Sequence, residues 1–440
     1  MAVKISKRIK DILAKDSKLM INTTKDKVPF VAARGGGDFA WDIDGNKFID
    51  FSSFISVYNL GDEANKKIQE AITTQSKELI HAAFTDYYSE KPLQFAEKLM
   101  TMFPKGFGRT FFSNSGTEAN EGALKLARLY SKRQYMFSFY GGFHGRTIGS
   151  LSLTVSKHRQ REGFGDMFGP TLHAPYAYCY RCPFKLEYPS CGLACVDYIK
   201  KYPLSKEANP KDVAAIFMEP IQGEGGYVVP PKEFVVEMRK IADEHGILLI
   251  SDEVQAGFMR TGKFLAMDNF GVEADIYTMA KAFAGGVPIG ATVARNSLGN
   301  IPKGALSNTF GGNLVAIAAA NASLDYIKKN ESNLKSGISR KGKYIMTRLK
   351  DMLERYEIIG DVRGIGMMIG VEFVKDKKSK KPAQEERDKV IETAFYNNLL
   401  MLPCGESSLR VIPTLTMADK NIEEGMDILE NAIKKVNGSR

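Results

Sequence analysis

From Pro92 onward the chain alternates helical and strand patterns. This predicts an α/β fold with a large domain on a mostly parallel sheet and a smaller α+β C-terminal domain. Three observations carry the prediction. The runs Tyr135–Phe139, Val213–Met218, Ile247–Ile250 and Ile276–Met279 are of strand length and nearly all apolar, as in strands buried on both faces. Amphipathic stretches of helix length, such as Thr117–Lys132 and Lys232–His245, lie between them. After residue 357 the pattern shortens to alternating strands and two helices, which suits a separate, smaller sheet.

In chain order, residues 1–28 read as an amphipathic helix with Ile5, Ile9, Ile12 and Leu13 on one face, then a polar linker. Val31–Asp50 gives short alternating strands, with Asp44-Gly45 as the hairpin turn between FAWDI and KFIDF. Phe54–Gly61 reads as a loop, Ala64–Leu79 and Gln94–Met102 as helices, and Thr110–Phe112 as a short strand. Ile289–Ala294 is a further strand, and a long helical region runs from Leu314 to about Tyr356. Residues 357–374 alternate as strands. A helix at Glu385–Asn397, strands near Leu400 and at Leu409–Ile412, and a helix at Asp419–Val436 end the chain. The expected division is an N-terminal segment (1–70) packing with the small domain, a large cofactor domain (71–325) and the small domain (326–440).

Composition bounds the function. With 44% hydrophobic and 25% charged residues, the chain is an ordinary globular protein. It has neither a run of membrane-span length nor a signal-peptide core after its basic first ten residues, so the cytoplasm is the expected compartment. The net charge of +10 is spread along the chain. Its one dense cluster, Lys375–Lys381, has no aromatic platform and reads as an exposed loop, which disfavours nucleic acid as a partner. Cys179, Cys182, Cys191 and Cys195 fall close together, but PFKLEYPS between the pairs is short for a zinc module. Free thiols are expected, with two local disulfides or a structural zinc as the alternatives, and no catalytic metal.

Two strand ends carry chemistry. Asp252 follows Ile247–Ile250, and Lys281 follows Ile276–Met279. In open α/β sheets functional groups gather past the carboxyl ends of strands. Either residue alone is commonplace: lysines are mostly solvated, and an aspartate there often only caps a helix. Lys281 differs because small residues follow it (Ala282, Ala284, Gly285, Gly286) and no charge adjoins it. A lysine for a Schiff base and a carboxylate for a pyridine nitrogen are what pyridoxal 5'-phosphate requires.

Other motifs join this pair. Ser115, Gly116 and Thr117 in SNSGTE stand where a helix begins, a site that suits a phosphate, although a plain cap would look the same. In YGGFHGRT, Phe143 could cover a ring and Arg146 hold a carboxylate, while His144 reads as a structural hydrogen-bonding residue. EPIQGEGG sets Glu219 and Glu224 near the same crevice, and its glycines suit close backbone approach better than a glycosidase pair.

Taken in order and spacing, SGTEAN, FHGRT, EPIQGEGG, SDEVQAGF, MAKAFAGG and TFGGN resemble the class-III (ω-amino-acid) aminotransferases of the fold-type-I pyridoxal-phosphate family. The pattern is most similar to 4-aminobutyrate aminotransferases. The resemblance implies that Lys281 is the Schiff-base lysine and proton carrier, and that Asp252 pairs with the ring nitrogen. It implies Gln255 near the ring hydroxyl, Val254 opposite Phe143, and Gly116 and Thr117 at the phosphate. Thr309 would reach the phosphate of a neighbouring subunit, making a homodimer with composite sites, with a higher oligomer left open. Glu224 would cover Arg410 while an ω-amine reacts, and Arg410 would take the α-carboxylate of glutamate or 2-oxoglutarate. Arg146 would grip the far carboxylate, with Ile55 beside the substrate.

Phe54 stands where ornithine enzymes carry a tyrosine, which favours 4-aminobutyrate over ornithine or acetylornithine as donor. The cysteine stretch and NLGDEAN depart from the family pattern. The reading is therefore transfer of an ω-amino group to 2-oxoglutarate, with amino acids and 2-oxo acids as partners. The rival is a racemase or epimerase on the same scaffold, whose members tend to have an aspartate where Glu224 stands.

Overall fold

The computed structural model describes residues 3–21, 23 and 28–438. Helix α1 (Lys7–Leu19) is capped by Ser6, whose hydroxyl accepts the Ile9 N–H at 3.1 Å. Of its predicted apolar face only Ile9 is buried; Leu13 stays exposed. The linker expected after it includes residues 22 and 24–27, which lie outside the described residues. Strands β1 (Ala32–Arg34), β2 (Phe39–Asp42) and β3 (Lys47–Asp50) form the expected meander. Asp42 closes its turn by accepting the N–H groups of Asp44 and Asn46 at 3.0 and 2.8 Å.

The segment expected as a loop from Phe54 differs. It opens with a short turn, α2 (Ser53–Ser56), in which all four residues have positive φ, between 39° and 66°. Each non-glycine residue in that left-handed form is disfavoured by about 1–2 kcal/mol. Tertiary bonds impose it. The Ser53 hydroxyl donates to Ile412 O at 2.8 Å, and fully buried Arg260 donates to Ser53 Oγ and Asn59 Oδ1.

Helices α3 (Gly61–Glu78) and α4 (Glu90–Met100) lead into the large sheet. Its strands are β4 (Phe107–Ser113), β5 (Tyr135–Phe139), β6 (Thr171–Ala174), β7 (Val213–Met218), β8 (Leu248–Asp252), β9 (Ile276–Met279) and β10 (Gly290–Arg295). Their order is β4-β10-β9-β8-β7-β5-β6. Only β10 is reversed, antiparallel to both β4 and β9, so the carboxyl ends of the other six lie along one edge. Every residue of β7 and β9 is buried, which accounts for their unbroken apolar character. Between the strands run α5 (Gly116–Ser131), α6 (Ile148–Leu153), α7 (Ala194–Lys201) and α8 (Lys232–His245). Strand β6 and helix α6, too short to show a period, were not expected from the sequence.

The long helix α9 (Leu314–Arg355) kinks once, at Asn330. After it come β11 (Ile359–Ile365), β12 (Met368–Phe373), α10 (Gln384–Tyr396), β13 (Leu399–Leu400), β14 (Leu402–Cys404), β15 (Ser408–Val411) and α11 (Asp419–Gly438). An antiparallel sheet, β11-β12-β15-β14, presents Arg410. Strand β13 pairs in parallel with β3 and so joins the two ends of the chain. Among the described residues no helix is long and apolar enough to cross a membrane.

Candidate active site

The carboxyl edge of the large sheet borders a cavity of about 410 Å³. Nine residues singled out from the sequence line it: Ser115, Gly116, Thr117, Phe143, Arg146, Asp252, Val254, Gln255 and Lys281. They come from four separate strand ends or the loops after them, those of β4, β5, β8 and β9, which the sheet brings to one edge.

Asp252 is the last residue of β8 and is 4% exposed. Its Oδ2 accepts Asn120 Nδ2 and bonds to His144 Nδ1, both at 2.8 Å; its Oδ1 accepts the Val254 N–H at 3.1 Å. Burial opposes charge on the His144 ring, but the hydrogen bond to Asp252, that carboxylate's charge and Glu219 outweigh it, and the pKa is raised. His144 thus does the structural work expected of it, on the very carboxylate that faces the cavity. Asn120 also donates to His144 O at 2.6 Å and clamps the pair. The sequence reading missed Asn120, since an asparagine within EAN on a helix carries no periodic or strand-end signal.

Lys281 lies two residues past β9, at φ 48°, beside Asp252 in the sheet order. Its side chain is partly exposed because it faces the cavity, yet it sits deep in the molecule. Burial lowers its pKa, with Asp252 opposing that shift and Arg410 adding to it.

Ser115 caps α5, its hydroxyl accepting the Glu118 N–H at 3.3 Å. Gly116 and Thr117 follow as the first residues of the helix, with N–H groups that have no intrahelical acceptor. A side chain at Gly116 would stand 2.9 Å from Val254 Cγ1, so this close approach needs glycine. The Thr117 hydroxyl accepts the N–H groups of Arg146 and Thr147 at 3.2 and 3.3 Å, tying the helix start to the FHGRT loop. Glu219, given no role from the sequence, holds two loops: its oxygens accept the Phe143 and Gly223 N–H groups at 2.9 and 2.8 Å. Burial raises its pKa.

Glu224 and Arg410 lie just beyond the cavity wall and meet each other. Glu224 Oε2 accepts Arg410 Nη2 at 2.5 Å, and Arg410 is only 6% exposed. Arg410 also donates to Gln255 Oε1 at 3.4 Å, which links the pair to the cavity. On its other oxygen Glu224 accepts Lys157 Nζ at 2.5 Å, a partner that no motif signalled. Ile55 and Thr309 are not brought to this chain's own cavity; both are exposed. The four clustered cysteines sit as free thiols around a separate small cavity with Phe184 and Leu186. Burial pushes the Cys195 thiol up to about 11. Among the described residues no three Cys, His, Asp or Glu side chains are arranged to hold a metal ion.

A family model for class-III aminotransferases matches residues 20–433. The leucine/methionine racemase of Thermococcus litoralis is 41% identical over 94% of this chain and 92% of its own. A probable 4-aminobutyrate aminotransferase of Bacillus subtilis is 35% identical over 92% of this chain and 93% of its own. The crystal structure of taurine:2-oxoglutarate aminotransferase from Bifidobacterium kashiwanohense, in complex with PLP and glutamate, superposes with a TM-score of 0.89 at 26% identity, covering 98% of each chain. These matches run the length of the chain and agree with the meeting of Lys281 and Asp252 at one cleft. The chain belongs to the class-III aminotransferases, enzymes that depend on pyridoxal phosphate.

Proposed function

We propose that the chain moves the terminal amino group of an ω-amino acid of the 4-aminobutyrate type onto 2-oxoglutarate, as a homodimer. The observation that carries this reading is the ion pair of Glu224 with buried Arg410, reached from the cavity through Gln255. A buried arginine without a partner is strongly disfavoured, by roughly 3–5 kcal/mol. A carboxylate that covers it and yields to a substrate carboxylate lets one site serve two kinds of substrate.

The cavity residues fit pyridoxal phosphate: a helix start with unsatisfied N–H groups for the phosphate, a fixed carboxylate, and an amine facing the same space. When bound, this cofactor supplies an electron-poor ring that stabilises negative charge on the amine-bearing carbon. The chain's residues do the rest. Ser115, Gly116 and Thr117 would hold the phosphate, and Asp252, braced by His144 and Asn120, would keep the ring nitrogen protonated. Phe143, Val254 and Gln255 line the same cavity and would hold the ring, Phe143 and Val254 by packing and Gln255 by hydrogen bonding. Lys281 would anchor the cofactor and then move the proton at the amine-bearing carbon, a role helped by the burial that lowers its pKa.

With an ω-amino acid bound, Arg146 grips the far carboxylate, and Glu224 stays on Arg410. With 2-oxoglutarate, the α-carboxylate takes Arg410 and Glu224 gives way. Thr309 serves the phosphate of the other subunit, which suits its exposure in the single chain.

A second reading, racemisation of α-amino acids, is favoured by the 41% identity to a protein named leucine/methionine racemase. Against it, the charges of Arg410 and Lys157 overcome burial and lower the Glu224 pKa, which makes that carboxylate a poor proton acceptor. The deciding experiment is a donor screen with 2-oxoglutarate that follows glutamate and D-amino acids together. Glutamate formed from 4-aminobutyrate-like donors supports transamination. D-amino acid formed without any 2-oxo acid would support the second reading instead.

A further inference from the structure

Glu224 sits between two cations from different parts of the chain. Arg410 holds Oε2 from the small sheet, and Lys157 holds Oε1 from the residue before the turn His158–Gln160, each at 2.5 Å. The backbone under Glu224 is locked. Its carbonyl accepts the Gly405 N–H at 2.7 Å, and a side chain at Gly225 would meet the Gly141 carbonyl oxygen at 2.4 Å. Any movement of the carboxylate is therefore left to the side chain. The two cations also differ in setting: the Lys157 side chain is 26% exposed and that of Arg410 only 7%.

When a substrate carboxylate displaces Glu224 from Arg410, a largely buried carboxylate loses one partner, and a lone buried charge is strongly disfavoured. On the gate reading given above, we propose that Lys157 is a positioning residue and the second seat of that gate, holding Glu224 while a substrate carboxylate occupies Arg410. The charges fit this role. At rest the three groups carry one surplus positive charge, which an incoming carboxylate neutralises. With Arg410 alone, opening would strand the glutamate. With Lys157 present, Glu224 keeps a charge-assisted hydrogen bond in both states.

The test compares Lys157→Met and Lys157→Arg with wild type, in the holoenzyme, with and without Glu224→Ala. Lys157→Met should raise KM for 2-oxoglutarate about tenfold while changing kcat less than about threefold. It should weaken calorimetric binding of glutarate, a non-reacting dicarboxylate, by a similar factor, leave the ω-amine half-reaction near wild type, and be largely rescued by arginine. In the Glu224→Ala background the same substitution should add nothing, because there is no glutamate to seat. Glutarate affinity unchanged by Lys157→Met, with Glu224→Ala still shifting the preference between ω- and α-amino substrates, overturns the role of Lys157 and leaves the gate standing. A full loss persisting in the Glu224→Ala background would make Lys157 a direct substrate ligand, and also overturns the proposal. If Glu224→Ala leaves that preference unchanged, the gate itself fails, and this inference with it.

Discussion

Asp252, the buried last residue of β8, and Glu224, a partly buried carboxylate in the loop after the adjacent strand β7, are held in opposite ways. Asp252 takes donors that cannot move far: the Asn120 amide, the His144 ring and the Val254 backbone. Glu224 meets the ends of two long side chains, Arg410 and Lys157. Short side chains and backbone fix a charge, whereas long flexible cations let it change partners. The first arrangement suits chemistry common to every substrate, and the second suits choosing between substrates.

The harshest test of the fixed region is Lys281→Ala. It should abolish turnover and the visible absorbance of the bound cofactor; a normal spectrum with activity retained would contradict the assignment. Asp252→Ala should keep some cofactor but lose about a hundredfold or more in kcat, and Asn120→Ala, which only loosens Asp252, about tenfold. Equal kinetics for both variants and wild type would mean that this carboxylate is not the ring's partner. Arg260→Leu probes the scaffold. Arg260 donates to Met367 O, Pro413 O, Ser53 Oγ and Asn59 Oδ1 from a fully buried position, so several acceptors would be left unsatisfied. Thermal denaturation should show a loss of about 3 kcal/mol or more. A midpoint equal to wild type would show that other bonds hold the left-handed turn.

The same contrast explains what the sequence revealed. Strand-end residues were legible because β7, β8 and β9 are buried on both faces, so their apolar runs mark where each strand stops and chemistry begins. Asp252 and Lys281 were singled out as a pair from those strand ends, whereas the helix start at Gly116 was read from SNSGTE, where a plain cap would look the same. Arg410, and its pairing with Glu224, needed family resemblance, since their meeting depends on how the small sheet packs against the EPIQGEGG loop. Lys157 was invisible: one lysine among many, whose partner is 67 residues away. The left-handed turn at Ser53–Ser56 was illegible for another reason. SFIS contains no glycine, and bonds to Arg260 and Ile412 override its local preference.

The smallest effect concerns pH. His173 on β6 bonds to Ser152 O at 3.0 Å, and burial, aided by the Arg161 charge, lowers its pKa from 6.5 to about 4. A histidine held neutral in the fold takes up a proton more readily when unfolded. Its contribution is therefore present above 6.5 and lost as the pH falls toward about 4. His173→Gln should flatten the fall in thermal midpoint over that window. An identical profile in the variant would mean that other groups cause it.

The most direct measurement of the exchangeable pair is a single-turnover comparison of the two half-reactions in Arg410→Ala. Loss of a charge-assisted contact to the α-carboxylate should slow the half-reaction with 2-oxoglutarate by about ten- to a hundredfold, and leave the half-reaction with an ω-amino donor nearly unchanged. Equal losses in both halves would contradict the account, because Arg410 would then support the site as a whole and Glu224 would gate nothing.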